Sequence, residues 1–132
     1  MLHSRSHEWK GSDPYDGLTS PLYQMLPWRS KATGIALIQT VRRCPINLRP
    51  FLGIRDGVNT KGLGLFARAS FARYRVSGNP TQLDEAVELL HKLEQLSATG
   101  YAGPCWGYNF DWQSRTFFVP QNTPNVICTA YI

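Results

Sequence analysis

The sequence predicts an all-α chain built from antiparallel helical hairpins, the beginning of an incomplete (α/α)6 toroid, and three observations carry that expectation. Two long helical patterns, from Asn59 or Thr60 to about Val76 and from Asn79 to about Ser97, are joined by a very short link. So short a link makes the two helices antiparallel neighbours. A third helical pattern, Trp28 to Arg43, comes before them. Finally, 132 residues with 42% hydrophobic and 17% charged content suit one globular domain rather than two.

In chain order, residues 1–12 are polar and charged, and read as a flexible tail in which His3 and His7 are solvated. Residues 13–132 form the domain proper. Asp13-Pro14-Tyr15-Asp16-Gly17 is turn chemistry: Asp-Pro holds its first residue extended, and Asp-Gly favours a tight turn. Ser20 then caps a short helix whose first position is Pro21.

In the first long pattern Ala32, Ile35, Ala36, Ile38 and Val41 recur near helical spacing. Arg42 and Arg43 suit its C-terminal end, where the helix dipole favours positive charge, and Pro45 stops it. The segment Cys44–Val58 carries two prolines and two glycines and reads as a loop. Its Ile46, Leu48, Phe51, Leu52 and Ile54 are apolar enough to pack over helix ends. Arg49 and Arg55 suit structural pairing.

The second pattern has rows Leu63–Phe66–Ala69–Arg73 and Leu65–Ala69–Ala72–Val76, with many small residues that allow close packing. Ser77-Gly78 is a helix stop. In the pattern from Asn79 to about Ser97, Leu83, Ala86, Val87, Leu90 and Leu93 give an apolar face, and Asp84, Glu85, Glu88, Lys92 and Glu94 a wet one. His91 reads as a half-buried helix residue. A helix with small residues on several sides beside one with a single wet face suggests inner and outer layers, as in helical toroids and solenoids. Thr123-Pro124 opens a last, almost wholly apolar helix, Asn125 to Ile132. A buried helix of only about two turns implies the N-terminal part of something larger, or a partner over this end.

Composition narrows the function classes. The net charge of +5 is spread thinly, with Arg42-Arg43 as its densest run, so a dedicated nucleic-acid role is not expected. Cys44, Cys105 and Cys128 are odd in number and widely spaced, which argues against a disulfide scaffold and a zinc site and for a reducing compartment. There is no signal-peptide pattern near the start and no run of eighteen apolar residues, so no membrane span is expected and the cytoplasm is the default.

The most informative stretch is Gly100–Tyr131. Trp106, Tyr108, Phe110, Trp112, Phe117 and Phe118 lie close together, interleaved with Asn109, Asp111, Gln113 and Arg115. Phe110, Phe117 and Phe118 read as core, and Cys105, with no evident His partner, as a buried thiol.

Four motifs carry a resemblance: Asp13-Pro-Tyr-Asp-Gly-Leu-Thr-Ser-Pro-Leu, Pro45-Ile-Asn-Leu-Arg-Pro, Asn59-Thr-Lys-Gly-Leu-Gly-Leu-Phe-Ala and Cys105-Trp-Gly-Tyr-Asn-Phe-Asp-Trp-Gln. Over residues 13–131 the chain resembles a family of bacterial and archaeal proteins encoded with polysaccharide biosynthesis genes, of the six-hairpin glycosidase-like superfamily of (α/α) toroids. The resemblance implies carbohydrate or polysaccharide metabolism, by a glycosidase-, lyase- or epimerase-like toroid that binds sugar in its central cavity. It covers only the first helices of such a ring. Any activity is then expected from a longer chain, whose further helices, or a partner chain, would cover the C-terminal end.

In such a ring the aromatic stretch lies at the mouth of the cavity, where ligands usually bind. Trp106 and Trp112 offer flat faces to sugar rings, and Asn109, Gln113 and Arg115 offer hydrogen bonds. Glycoside cleavage needs two carboxylates, for which Asp111 and Asp16 are the candidates, although an Asx turn explains Asp16 without chemistry. Tyr108 suits acid–base work beside a substrate carboxylate, and Arg115 would neutralise that carboxylate in a uronate-containing glycan. No cofactor or metal is implied. The alternatives are a non-catalytic module for glycan or single-stranded nucleic acid and an inactive fragment with exposed apolar surface.

Overall fold

The computed structural model describes residues 6–132; His3 and the rest of residues 1–5 lie outside the described part. About 52% of the residues are helical, so the chain is mostly helical as expected. The helices are α1 (Pro21–Gln24), α2 (Lys31–Arg43), α3 (Arg49–Leu52), α4 (Thr60–Ser77), α5 (Pro80–Gln95) and α6 (Val126–Tyr131), with a 3-10 turn at Asp16–Thr19. Four two-residue strands, β1 (Lys10–Gly11), β2 (Gly57–Val58), β3 (Trp112–Gln113) and β4 (Phe118–Val119), accompany the helices. The chain forms two compact units. The hairpin unit takes Val58–Tyr108, Asn122–Ile132 and the described residues before Gly11. The cleft unit takes Gly11–Gly57 and Asn109–Gln121.

In the hairpin unit, α4 and α5 begin where the sequence places caps. The Asn59 side chain accepts the Lys61 N–H at 3.1 Å, and Asn79 accepts that of Thr81 at 3.0 Å. Gly78 ends α4 in the left-handed region (φ 67°), which a residue without Cβ adopts freely, and the chain reverses directly into α5. The buried row of α4 is Leu63, Ala67 and Ser70; that of α5 is Ala86, Leu89 and Leu93.

Both faces are rotated from the sequence reading. Leu65, Val76, Val87 and Leu90 are exposed, while Leu89 is fully buried. Glu85, assigned to the wet face, is buried as well: the Ser70 hydroxyl donates to its Oε2 at 2.8 Å. That bond lets a carboxylate occupy an inward position, which a hydrophobicity count cannot anticipate. His91 is exposed rather than half-buried. The last helix is capped by Asn125, not Thr123: the Asn125 side chain accepts the Cys128 N–H at 2.8 Å. Helix α6 lies close on α4 because position 64 is glycine; a Cβ there would sit 2.9 Å from the Ile132 side chain.

Trp9, which the sequence places in a polar tail, is 7% exposed. It joins Leu63, Ala67, Leu89 and Leu93 in one cluster, its ring 5.0 Å from that of Phe66. A single aromatic among charged neighbours shows no periodicity, so composition hides it.

In the cleft unit, Ser30 and Thr33 form a capping box at the start of α2, and Ile38 and Val41 are buried. The Asp16–Thr19 turn packs on this helix, and a Cβ at Gly17 would lie 3.4 Å from the Ile38 backbone. Ser20 does two jobs: its hydroxyl accepts the Tyr23 N–H and donates to the Leu52 carbonyl at 2.7 Å. A second tie joins the same segments. Arg49 Nε donates to both Asp16 oxygens, at 3.1 and 2.9 Å, and its Nη2 donates to the Asp13 carbonyl at 2.7 Å.

Strands β3 and β4 pair antiparallel, Trp112 with Val119 and Gln113 with Phe118. Ser114 closes their turn by accepting the N–H groups of Thr116 and Phe117. Phe110 is core as expected, at 3% exposure, but Phe117 and Phe118 are each 50% exposed. On a two-residue strand the chain has too little length to carry both rings under cover.

Two stability outcomes follow. Trp9→Ala should cost about 3–5 kcal/mol in urea unfolding followed by circular dichroism, because it empties a core position; a change within about 0.5 kcal/mol, the range of a surface substitution, would contradict the packing. Arg49→Ala should cost about 3–5 kcal/mol because it strands a buried carboxylate, whereas the double change Asp16→Asn with Arg49→Met should cost clearly less. Equal costs would show that the charge pair is not what holds these segments.

Candidate functional site

The residues singled out by sequence are divided between the units. Trp106 and Tyr108 belong to the hairpin unit; Asp16, Asn109, Asp111, Trp112, Gln113 and Arg115 belong to the cleft unit.

In the hairpin unit, Trp106 packs against the core, and its indole N–H donates to the Leu93 carbonyl at 2.7 Å. It thereby adds a second donor to a carbonyl at the end of α5 that also accepts the Leu96 N–H at 3.1 Å. The Tyr108 carbonyl accepts the Asn122 N–H, and its side chain reaches the thiol of Cys128. Burial pushes that thiol's pKa up, opposed by hydrogen bonds from Asn125, Thr60 and Tyr108. Cys128 is fully buried and is a packing residue rather than a nucleophile.

In the cleft unit, Asp16 has no free role. It is 5% exposed, both oxygens receive Arg49, and Oδ2 also accepts the Asp13 N–H at 3.1 Å. The Asx turn falls at Asp13, whose Oδ1 accepts the Tyr15 N–H at 3.0 Å. Asp16 and Asn109 border one cavity of about 700 Å³, together with Arg55 and Gln121. Asn109 Oδ1 is buried there without a hydrogen-bond partner.

Asp111 borders a second cavity, of about 410 Å³, with Tyr23, Lys31 and Gln113. One of its oxygens accepts the Gln121 N–H at 2.7 Å, which ties the two ends of the β3–β4 segment. Asp111 and Asp16 therefore border different cavities; Asp13 shares the larger one with Asp16, and both are engaged in the turn, Asp13 by the Tyr15 N–H and Asp16 by Arg49.

Trp112, Gln113 and Arg115 do come together. They border a third cavity of about 410 Å³ whose opposite side is one stripe of α2: Ile35, Ile38, Gln39 and Arg42, with Arg43 beside it. The spacing of that stripe is the i, i+3, i+4, i+7 row of a helix. Tyr15 completes the lining, and the Arg42 guanidinium stands 5.0 Å from the centre of its ring. The Trp112 ring is held edge-on against Phe117, with centroids 5.4 Å apart. Gln113 Nε2 donates to the Ser114 and Phe117 carbonyls, so its amide is oriented by the turn. Gln39 Oε1 is buried and has no hydrogen-bond partner.

The chemistry of this third cavity is one-sided. Three arginines border it and no carboxylate does. Guanidinium groups grip carboxylate and phosphate oxygens with paired N–H bonds, and Arg42 is steadied by the tyrosine face. Gln39, Arg42, Arg43 and Tyr15 were missed as site residues in the sequence. The signal was present as a polar stripe ending in the densest basic run, but it resembled an ordinary solvated helix face. Among the described residues no group of three or more His, Cys, Asp or Glu stands close enough to hold a metal ion, and no helix is long and apolar enough to cross a membrane. No family model, curated protein or solved structure matches the chain.

Proposed function

We propose that the chain acts in carbohydrate or polysaccharide metabolism by binding an acidic sugar, such as a uronate-containing glycan, in the cavity between α2 and the β3–β4 hairpin. The observation that supports this is the convergence of Arg42, Arg43 and Arg115 with Trp112 and two glutamines on one cavity that holds no carboxylate. The arginines would take the substrate's carboxylate, the indole the apolar face of a sugar ring, and the glutamines its hydroxyls. A volume of about 410 Å³ falls in the range of small-molecule sites, about 300–1,000 Å³.

The wider proposal is that the α4–α5 hairpin is one repeat of a toroid, whose further helices would supply the opposite wall of the site. Hydrolysis, elimination or epimerisation of the bound sugar would then use groups from that wall. Asp111 borders the neighbouring cavity and Tyr108 belongs to the other unit, so neither is given a step at this site. Asp16, locked to Arg49, serves as scaffold.

Titration with an oligogalacturonate and with its methyl ester tests the reading. The acidic oligomer should bind and the ester should bind at least about tenfold more weakly, since each charge-assisted hydrogen bond contributes about 1.5–3 kcal/mol. Arg115→Ala and Arg42→Ala should erase the difference, and Trp112→Ala should weaken both ligands alike. Equal affinity for acid and ester in the unmodified protein would sink the proposal. So would a preference for single-stranded RNA with steep salt dependence.

A further inference from the structure

The outer faces of α4 and α5 carry opposite charge and leave apolar side chains in water. On α4, Leu65, Arg68, Ala69, Ala72, Arg75 and Val76 are all exposed and lie on one helical stripe. The helix contains Lys61, Arg68, Arg73 and Arg75 and no acidic residue. Lys61 is turned onto the Tyr131 ring, 4.4 Å from its centre. Arg68 and Arg75 form no ion pair among the described residues.

On α5, Asp84, Val87, Glu88, His91 and Glu94 are exposed along a matching stripe. Glu88 takes Lys92 at 2.8 Å and Glu94 faces His91 at 3.6 Å, while Asp84 has no ion pair among the described residues. Val76 is 91% exposed and Leu90 52%. At 100° per residue, each stripe lies opposite the buried row of its own helix. Those buried rows meet each other across the hairpin, bonded at Ser70–Glu85. The basic and acidic faces therefore point in opposite directions and cannot neutralise one another within one hairpin.

We infer that these faces are a self-association surface, on which the basic face of α4 in one copy docks on the acidic face of α5 in a second copy. The register supports this occupant. When a second hairpin is laid beside the first with the turns level, its α4 runs antiparallel to α5. Arg75 lies three residues before Gly78 and Asp84 five after Asn79, so the two stand at similar heights. Arg68 lies ten residues before Gly78 and Glu88 nine after Asn79, which brings the second pair level too. The small Ala69 and Ala72 between the arginines let the helices approach, and Leu65, Val76 and Val87 leave water in the same contact. Because the two faces differ, the contact is head-to-tail, and the pair as a whole keeps one free basic face and one free acidic face.

Sedimentation of the full chain tests this. At about 0.05 M salt the mass should rise with concentration beyond a dimer, and at about 0.5 M it should fall toward the monomer, as screening shortens the reach of the charges. The doubles Arg68→Glu/Arg75→Glu and Asp84→Arg/Glu88→Arg should each be monomeric at low salt, with helicity by circular dichroism unchanged. Mixed together they should associate again, since the first then offers two acidic faces and the second two basic ones. A chain that is monomeric at every concentration and salt would overturn the inference, as would association that both doubles leave intact or doubles that stay apart on mixing.

Discussion

One buried ion pair decides what the cleft unit can be. Arg49 and Asp16 are 33 positions apart in sequence, and their side chains retain only 17% and 8% exposure. Closing that distance costs chain entropy and removes a carboxylate from water, so the pair stands only because its geometry is complete. Both carboxylate oxygens are engaged, and the guanidinium reaches the Asp13 carbonyl as well. With Ser20 bonded to Leu52 nearby, the segments 13–20 and 49–53 behave as one platform beside α2. The same completeness withdraws Asp16 from acid–base work, because both of its oxygens are already engaged by Arg49 and one also by the Asp13 N–H.

That platform leaves the arginines of α2 as the unit's chemically open groups. Arg42 and Arg43 lie in the last turn, where the helix dipole stabilises positive charge. Arg115 comes to them from the tip of the β3–β4 turn, whose shape Ser114 sets through two backbone N–H groups. Three like charges around one cavity repel each other, and no acidic side chain lines it to offset them. An anionic ligand would supply that charge, and the buried Gln39 oxygen would gain a donor from the same ligand's hydroxyls. This is why the acidic-sugar reading rests on this cavity rather than on the larger one, where Asp16 already has its counter-ion.

Helix existence and helix starts were legible in the sequence because they depend on local chemistry. Ser20, Ser30, Asn59, Asn79 and Asn125 each accept a backbone N–H at the start of a helix, and three of them, Ser20, Asn59 and Asn79, follow from residue type alone, whereas Thr123-Pro124 masked Asn125. Ser30 was hidden by the tryptophan and arginine before it. Helix phase was less legible. Leu65 and Val76 read as a buried row of α4, yet the helix turns Leu63, Ala67 and Ser70 inward. Glu85 explains the choice: with Ser70 as its partner it tolerates burial, and it admits Leu89 to the core at the expense of Leu90. Trp9 and the short strands were invisible for a different reason. One buried aromatic or two paired residues make no period for a pattern to reveal. In the site, Trp112, Gln113 and Arg115 were identified from one dense stretch, whereas Gln39 and Arg42 reach the same cavity from 70 or more positions away.

The density of that aromatic stretch is itself explained by the fold. The chain leaves the hairpin unit after Tyr108 and returns to it at Asn122. Aromatic residues on either side of Tyr108 therefore answer to different demands. Trp106 closes the end of α5 by donating its indole N–H to the Leu93 carbonyl, beside the Leu96 N–H that the same carbonyl accepts. Trp112 has no such duty to a helix end: its ring leans on Phe117 and remains half-buried beside three cations. A tryptophan kept at a cationic rim, with its position set by a neighbouring ring, is suited to receive a flat ligand face without reorganisation. What looks in the sequence like a single active-site cluster is thus a cap followed by a wall, and only the wall borders the arginine-lined cavity.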